Sequence, residues 1–275
     1  MDGFLTWWAD FQNTFYRCFI EDDRWRYLTR GLGNTLLITF FALLIGVVLG
    51  VVVAIVRASY DKNKEEMRPG VGRVLLAIVN WICKIYLTVI RGTPVVVQLL
   101  LGVFVIFLFL GDVTVACLVF GINSGAYVAE IVRSGIMSID NGQFEAGRSL
   151  GFNYVQTMRH IILPQAFKNV LPALANEFIV LIKETSVAGY AGVIDLTKGG
   201  EIIRGRTFEA FMPLLAVALV YLVMVVFFTW LVGKLERRLR NEGARTVKAK
   251  APATALPGDD ATGRVQEIEV DKHEE

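Results

Sequence analysis

Charged and polar side chains interrupt stretches of this chain that are otherwise long and apolar. The charged ones are Arg91, Glu130, Lys183 and Glu184. The neutral polar ones near them are Gln98, Asn123, Asn176, Thr185 and Ser186. An ionisable residue in the middle of a membrane helix costs about 2.5–3.5 kcal/mol on insertion scales, so it usually faces protein or water. These residues are therefore candidates for lining a polar pathway. Structural ion pairs, Arg91 with Glu130 or Lys183 with Glu184, are the alternative.

The patterns that support enzymatic chemistry are missing from the sequence. It contains no GxxxxGK[ST] phosphate-binding loop, so we do not expect the chain to hydrolyse ATP itself. Ser124, Ser134 and Ser149 have no histidine at a plausible position to activate them, because His160 and His273 are the only two histidines. The three cysteines lie far apart and show neither disulfide nor metal-ligand spacing. We therefore predict no catalytic residue, no metal site and no cofactor on this chain.

Composition places the chain among integral membrane proteins. Hydrophobic residues make up 54% of it, and the mean hydropathy is +0.51. The net charge of +2 is too small for a nucleic-acid-binding surface, so no nucleic-acid partner is expected. The first thirty residues lack a basic start followed by a cleavage site, which argues against a signal peptide.

Three uncharged or nearly uncharged runs predict membrane spans. Gly31 to Val56 carries no charge and, at 1.5 Å per residue, forms a helix ~39 Å long, enough to cross the hydrocarbon with some tilt. Asp112 to Met137 and Ala210 to Gly233 are the other two. Together they predict an all-α membrane protein.

The run from Val74 to Leu110 is longer than one span needs. Gly92 and Pro94 lie near its middle, where they weaken or break a helix. We predict one long second helix that bends near these two residues. A short helix in the membrane interface, followed by a separate span, is the alternative.

Leu171 to Ile194 holds too many polar residues for hydropathy alone to make it a span. Counting it as the fourth gives five spans, with the N-terminus outside and the C-terminus in the cytoplasm. The inside segments 57–73, 133–170 and 234–250 then hold more than twice as many Lys and Arg as the outside segments 1–30 and 188–209. This distribution agrees with the positive-inside rule and favours five spans.

The two ends of the chain differ from the spans. Residues 1–30 alternate aromatic and charged side chains, which predicts an extracytoplasmic amphipathic helix in the membrane interface. A helix that packs on its own protein is the alternative. Residues 239–275 combine Ala, Thr, Gly and charges without periodicity and predict a disordered cytoplasmic tail.

The segment from Glu145 to Pro164 is too polar to span a membrane, although long apolar stretches flank it. A turn over Gly151 to Asn153 divides it into two short helical pieces. Asp140 with Gln143, and Asn153 with Gln156, have the spacing of a capping box. We predict an ordered helix-turn-helix element, with an ordinary amphipathic connector as the alternative.

The spacing within this segment resembles the EAA loop of ABC importer permeases, whose pattern is EAA, three residues, Gly, nine residues and I-x-LP. The matching residues are Glu145, Ala146, Gly147, Gly151, Ile161, Leu163 and Pro164. Both gaps fit. Gly147 stands where the family has its second Ala, which keeps the side chain small.

The flanking segments look like the polar amino-acid uptake branch of these permeases, the histidine and glutamine permease-like proteins. The similar stretches are GLGNTLLIT at Gly31, RGTPVVVQ at Arg91, NSGAYVAEIVRSGI at Asn123 and LPQAFKNVLPALANEFIVLIKETSV at Leu163. Val187 replaces the usual Leu. The resemblance covers about Gly31 to Arg238, which it identifies as an ABC transmembrane type-1 domain.

The resemblance implies the function of a multi-pass permease in the bacterial inner membrane, working by alternating access. The seven loop residues would dock on ATPase subunits, with the loop lying between the third and fourth spans in the cytoplasm. Implied partners are two ATPases that bind ATP and Mg²⁺, a second permease (a copy or a homologue) and an extracytoplasmic amino-acid-binding protein.

Two other classes of function compete with this interpretation. An ATP-independent secondary carrier of amino acids or ions would relay ions through the charged helix residues. It predicts inverted repeats, which the sequence does not show. A membrane scaffold without transport activity would leave the polar residues of the spans unexplained.

Overall fold

The computed structural model describes residues 2–63 and 70–250 of the chain, with side chains over 4–61 and 70–238. Over these ranges the structure is helical and contains no strand. The chain divides into two compact units, Met1–Arg237 and Arg238–Glu275.

Ten α-helices follow one another along the described part of the chain. They are α1 Asp2–Phe15, α2 Trp25–Asn63, α3 Val71–Gly92, α4 Val95–Leu101, α5 Asp112–Met137, α6 Asn141–Ser149, α7 Tyr154–Thr157, α8 Leu163–Glu184, α9 Leu196–Thr207 and α10 Phe211–Lys250. π-helical turns lie at Tyr16–Ile20, Gly102–Ile106 and Met158–Ile162, and 3₁₀ turns at Glu21–Asp23 and Thr185–Ala191.

Four helices within the described residues are long and apolar enough to cross a membrane. They are Trp25–Asp61 of α2, α3, α5, and Phe211–Arg238 of α10. Each corresponds to a run predicted as a span. The predicted fourth span, Leu171 to Ile194, coincides with α8 only in part, because α8 begins at Leu163 and ends at Glu184, where a 3₁₀ turn follows. α8 itself is ~33 Å long, which is enough to cross a membrane, but it is too polar to qualify by composition. Five spans therefore stay a prediction.

The prediction of one bent helix over Val74 to Leu110 is wrong. α3 ends at Gly92, Thr93 is extended (φ −118°, ψ 143°), and α4 begins only after Pro94. A proline disfavours helical geometry in the residue before it and offers no backbone N–H, which ends the helix rather than bending it. The alternative order fails too, because the first piece is the long one and the shorter apolar piece, Val95–Ile106, follows it.

α5 forms the centre of the bundle, and small residues let α2 approach it closely. A Cβ on Gly46 would lie 3.0 Å from the Ser124 side chain, and one on Gly50 would lie 2.6 Å from Val128. These two glycines are therefore packing notches between α2 and α5. In the apolar windows of the candidate spans, 72% of α5 is buried, against 33% of α2 and 22% of α10, so most of the surface that faces outward belongs to the other helices.

α9 is fastened to the beginning of α2 by hydrogen bonds. Thr35 Oγ1 accepts from the Leu196 backbone N at 3.1 Å, and Asn34 Nδ2 donates to the Ile194 carbonyl at 2.7 Å. The fully buried Asp195 side chain caps α9 by accepting from the backbone N of Thr197 and Lys198, each at 3.0 Å. Burial raises the pKa of the Asp195 carboxyl, and the two backbone donors partly offset this.

The N-terminal segment joins the same layer through its π-helical turn. Cys18 and Phe19 are buried against Ile203 of α9 and Met212 of α10. Arg17 Nη2 donates to the Thr207 carbonyl at 3.1 Å. Burial raises the pKa of the Cys18 thiol, so this group packs as a small apolar side chain.

α10 continues to Lys250, so the structure differs from the predicted disordered tail over residues 239–250. Residues 251–275, which complete that predicted tail, lie outside the described residues.

Candidate functional site: a loop element and the polar residues of the helices

The segment between α5 and α8 folds as two short helices, α6 and α7, as its sequence predicts. Asp140 caps α6 by accepting from the Gly142 backbone N at 2.6 Å. The predicted capping box is incomplete here, because the Gln143 amide oxygen accepts instead from Gln165 Nε2 at 3.3 Å. That contact ties α6 to the first turn of α8.

A Schellman motif ends α6 at the predicted turn. The Phe152 backbone N donates to the Gly147 carbonyl at 3.0 Å, and the Gly151 N donates to the Arg148 carbonyl at 2.9 Å. Gly151 adopts φ +79°, a left-handed conformation that costs glycine less than any other residue. The glycine of the motif is therefore required by the backbone geometry of the turn.

α7 begins with a complete capping box. Asn153 Oδ1 accepts from the Gln156 backbone N, and Gln156 Oε1 accepts from the Asn153 backbone N, each at 2.9 Å. The second predicted box is confirmed. Both ends of the turn are thus fixed by local hydrogen bonds, which makes the element ordered rather than a loose connector.

The inner face of this element packs on the ends of the membrane helices. Phe144 of α6 and Ile162 before α8 are buried with Ala58 of α2 and with Val132 and Ile136 of α5. Ile161 and Leu163 of the motif pack against the same cluster. The loop element is therefore joined to α2 and α5 by shared side-chain contacts.

An ion pair between α5 and α2 and a proline at the start of α8 stiffen this region. The Arg133 side chain of α5 donates from Nη2 and Nε to Asp61 Oδ2 of α2, at 2.7 and 3.1 Å. Pro164 occupies the first turn of α8, where its missing N–H leaves no helix hydrogen bond unmade.

The outer face of the element is exposed and partly apolar. Glu145 and Ala146 are exposed on α6. Gly147, the next residue, is buried. Leu150 and Val155, on either side of the turn, are each 70% exposed. An exposed apolar patch next to a rigid turn is typical of a docking surface for another protein.

Arg91 and Glu130 are brought together by the fold. Arg91 Nη1 donates to Glu130 Oε1, and its guanidinium lies 5.3 Å from the centre of the Tyr127 ring. The two side chains are 38% and 46% exposed. They form the ion pair that was the alternative to a pathway role, and they sit at an open surface of the chain.

Gln98 lines a cavity of about 360 Å³, where its side chain is hydrogen-bonded within the chain. Its Nε2 donates to the Ile90 carbonyl at 2.7 Å and to the Thr93 carbonyl at 3.1 Å, and its Oε1 accepts from Asn123 Nδ2 at 3.1 Å. The break at Gly92 and Pro94 frees backbone carbonyls, and Gln98 supplies the donor that satisfies them. The Ile90 and Thr93 carbonyls are therefore satisfied by a donor of the same chain.

The candidates at the end of α8 are dispersed rather than clustered. Asn176 and Lys183 are exposed, Glu184 and Ser186 are half-buried, and Thr185 is fully buried with its hydroxyl donating to the Ile182 carbonyl at 2.8 Å. Thr185 therefore has a structural role in the start of the following 3₁₀ turn.

Glu177 is a residue that the sequence reasoning left out of the candidate pathway. It is 7% exposed on α8, and Ser124 Oγ of α5 donates to its Oε1 at 2.9 Å. Glu177 and Glu184 are separated by two helical turns and so lie on one face of α8. That seven-residue spacing was the available signal.

A cavity of about 460 Å³ opens between α5 and α8 on the side of the loop element. Its polar lining residues are Glu130, Ser134, Ser138 and Asn169. Asn169 Nδ2 donates to Ser138 Oγ at 3.2 Å across it. The two helices that carry the loop element thus also frame a polar groove.

A family model described as "Binding-protein-dependent transport system inner membrane component" matches residues 70–241. The chain is 39% identical over 199 residues to the probable amino-acid ABC transporter permease protein YckA of Bacillus subtilis (strain 168), covering 71% of this chain and 81% of that protein. It is 35% identical over 219 residues to the arginine transport system permease protein ArtQ of the same organism, covering 78% and 93%.

Among solved structures, the fold is similar to a crystal structure of an amino acid ABC transporter with histidines. The TM-score is 0.68 and the sequence identity 40%, over 78% of this chain and 94% of that one.

Proposed function

This chain belongs to the family of inner membrane components of binding-protein-dependent transport systems, and we propose that it is the permease subunit of an ATP-driven importer of amino acids. Relatives named as amino-acid and arginine permeases support the substrate class. The observation that carries the proposal is the loop element between α5 and α8, which combines the EAA spacing with a rigid, exposed face.

The loop element is the docking surface for an ATPase subunit in this proposal. Its exposed side carries Glu145, Ala146, Leu150 and Val155, which suit a groove with an apolar floor and a basic group near its rim. Its buried side packs on α2 and α5, so closure of the ATPases moves the membrane helices. Binding of ATP and Mg²⁺ and hydrolysis take place on the partner.

The proposed topology counts α8 as a span beside α2, α3, α5 and α10. The N-terminus then lies outside, the C-terminus lies in the cytoplasm, and the loop element faces the cytoplasm. The more basic segments lie on the cytoplasmic side, which supports this orientation. α8 buries its Glu177 side chain against Ser124 instead of presenting it to lipid, which makes a span of this polarity acceptable.

The amino acid moves between this chain and a second permease, a copy or a homologue, after delivery by an extracytoplasmic binding protein. The groove between α5 and α8 is the proposed inner part of the pathway, because Glu130, Ser134 and Asn169 offer it both charge and hydrogen bonds. The Arg91–Glu130 pair stands at one end of that groove.

The test is binding-protein-dependent uptake by the reconstituted complex. We expect Glu145→Arg to abolish uptake and to lower the amount of ATPase that co-purifies, since the reversed charge stands on the docking face. Gly151→Arg should act in the same way. Glu236→Arg provides a matched charge reversal at an exposed carboxylate of α10 and should leave both measurements unchanged. Normal uptake and normal ATPase recovery in correctly inserted Glu145→Arg protein would refute the docking role.

A further inference from the structure

α1 carries a ladder of aromatic rings along one face. Phe4, Trp7, Trp8 and Phe11 recur at helical spacing, and the ring centres of Trp7 and Trp8 lie 5.8 and 5.7 Å from that of Phe11. Polar residues, among them Asp10, occupy the opposite face. The structure thus confirms that the aromatic side chains of α1 lie together on one face of the helix.

Three of these four rings are exposed in the described part of the chain, whereas Phe11 is partly buried against the cluster of Cys18, Phe19, Ile203 and Met212. Phe4 is 67% exposed, Trp7 56% and Trp8 45%. A helix that used its aromatic face to dock on its own protein would bury these side chains. Within the described residues, packing on its own protein, the alternative left open by the sequence, accounts for Phe11 but not for the exposed rings of Phe4, Trp7 and Trp8.

The exposed rings continue the outward surface of the first candidate span. Trp25 at the start of α2 is exposed, and Phe40 and Phe41 follow it on the outside of the same helix. The uncharged run of α2 begins at Gly31, so Trp25 at the start of the helix lies just outside the hydrocarbon layer, and α1 precedes it by one short connection. Trp side chains prefer this edge, because their rings are apolar and their N–H groups can bond water or headgroups.

We propose that α1 lies in the headgroup layer of the bilayer, at the membrane edge where α2 begins, with its aromatic face toward the acyl chains. α1 contains Asp2 and Asp10 and neither Lys nor Arg. Insertion of the rings, rather than attraction to anionic lipid, holds it there.

The turn that follows α1 is in contact with α9. The turn after α1 buries Cys18 and Phe19 against Ile203, and Arg17 donates to the Thr207 carbonyl at the end of α9. α1 thus fixes the height of α9 relative to the membrane surface.

The test uses the full-length chain in lipid nanodiscs, with Trp25, Trp81 and Trp230 replaced by Phe. All three side chains are exposed, so their replacement leaves the core intact, and Trp7 and Trp8 are the two indoles that remain of five. We expect lipids brominated near the headgroup to quench the emission more than lipids brominated near the chain ends. Acrylamide should quench less than in the unfolded chain, and added salt should change neither result.

Matched variants locate the effect on the aromatic face. Phe4→Ser should shift the emission to longer wavelength and reduce quenching by the brominated lipids, whereas Asn13→Ser on the polar side should change neither. Quenching by acrylamide as strong as in the unfolded chain would place α1 in water and overturn the proposal. Protection from acrylamide without quenching by brominated lipid would also overturn it, in favour of contact with a second copy or another protein.

Discussion

The Thr157 side chain of α7 occupies the space where a side chain at Gly147 of α6 would lie. A Cβ built on Gly147 would lie 2.6 Å from both Cγ2 and Oγ1 of Thr157, whose side chain is buried between the two short helices. The departure of this chain from the EAA pattern therefore has a packing reason. Glycine at this position lets α6 and α7 approach each other across the turn.

Gly147→Ala should destabilise the loop element by about 1–3 kcal/mol, because the added methyl group overpacks a rigid, β-branched neighbour. Thr157→Ala removes both of the atoms that collide and should restore most of the loss in the double variant. Thermal unfolding of the four proteins of this cycle measures the coupling. If the two changes add independently, the two residues do not share the space described.

Gly151→Ala should cost about 1 kcal/mol, because alanine resists the left-handed conformation at φ +79°. Gly151→Asn should cost less, since asparagine tolerates this conformation. Gly33→Ala in α2 is the control, because a Cβ there meets nothing within 4 Å and the backbone is helical. We expect unchanged or higher stability for Gly33→Ala. A loss there equal to that of Gly151→Ala would show that backbone conformation is not the cause.

Gln98→Ala should destabilise the junction of α3 and α4 by about 1–3 kcal/mol, because the Ile90 and Thr93 carbonyls lose a donor in an apolar setting. Hydrogen exchange of the backbone amides of α4 should become faster. Gln12→Ala on α1 is a matched amide deletion at an exposed position and should be neutral. Unchanged exchange in Gln98→Ala would exclude the capping role.

Titration of the Asp195 carboxyl should make the stability of the chain vary with pH in the acidic range. Burial raises the pKa of this carboxyl, so the folded state binds its proton more tightly than the unfolded state. The resulting stabilisation is fully present below the ordinary pKa of aspartate and is lost as the pH rises through the raised value. Asp195→Asn keeps an oxygen to cap α9 and should flatten this part of the pH profile of the unfolding temperature.

Asp195→Ala separates capping from titration. It removes the acceptor for the Thr197 and Lys198 backbone N–H groups and should cost about 0.5–2 kcal/mol at every pH. A profile in Asp195→Asn with the same slope as the unchanged protein would assign the pH dependence to another group.

The local features of the fold could be read from the sequence, because each depends on residues close together in the chain. Apolar length predicted the spanning parts of α2, α5 and α10, and Gly151 with the box of Asn153 and Gln156 predicted the turn and the start of α7. The error at Pro94 was one of degree. Pro94 correctly predicts an interruption, but the structure has two extended residues between two separate helices where the sequence predicts a bend.

The polar residues of the helices could not be assigned in this way. A glutamine in an apolar run suits both a solute pathway and the capping of a broken helix, and its partners decide between them. Gln98 meets the carbonyls of the preceding helix, and Glu177 meets Ser124 from a helix far away in sequence. These contacts depend on how α3, α5 and α8 are placed, which hydropathy does not specify.

The sequence by itself determined the membrane class, most of the candidate spans and the turn of the EAA-like segment, since length, apolar content and turn residues act over a few helical turns. Only the tertiary structure decided that Arg91 pairs with Glu130, that Thr157 fills the space beside Gly147 and that the rings of α1 stay exposed. Such relationships require two separate helices to meet at a particular distance, and that distance is set by the packing of the whole bundle.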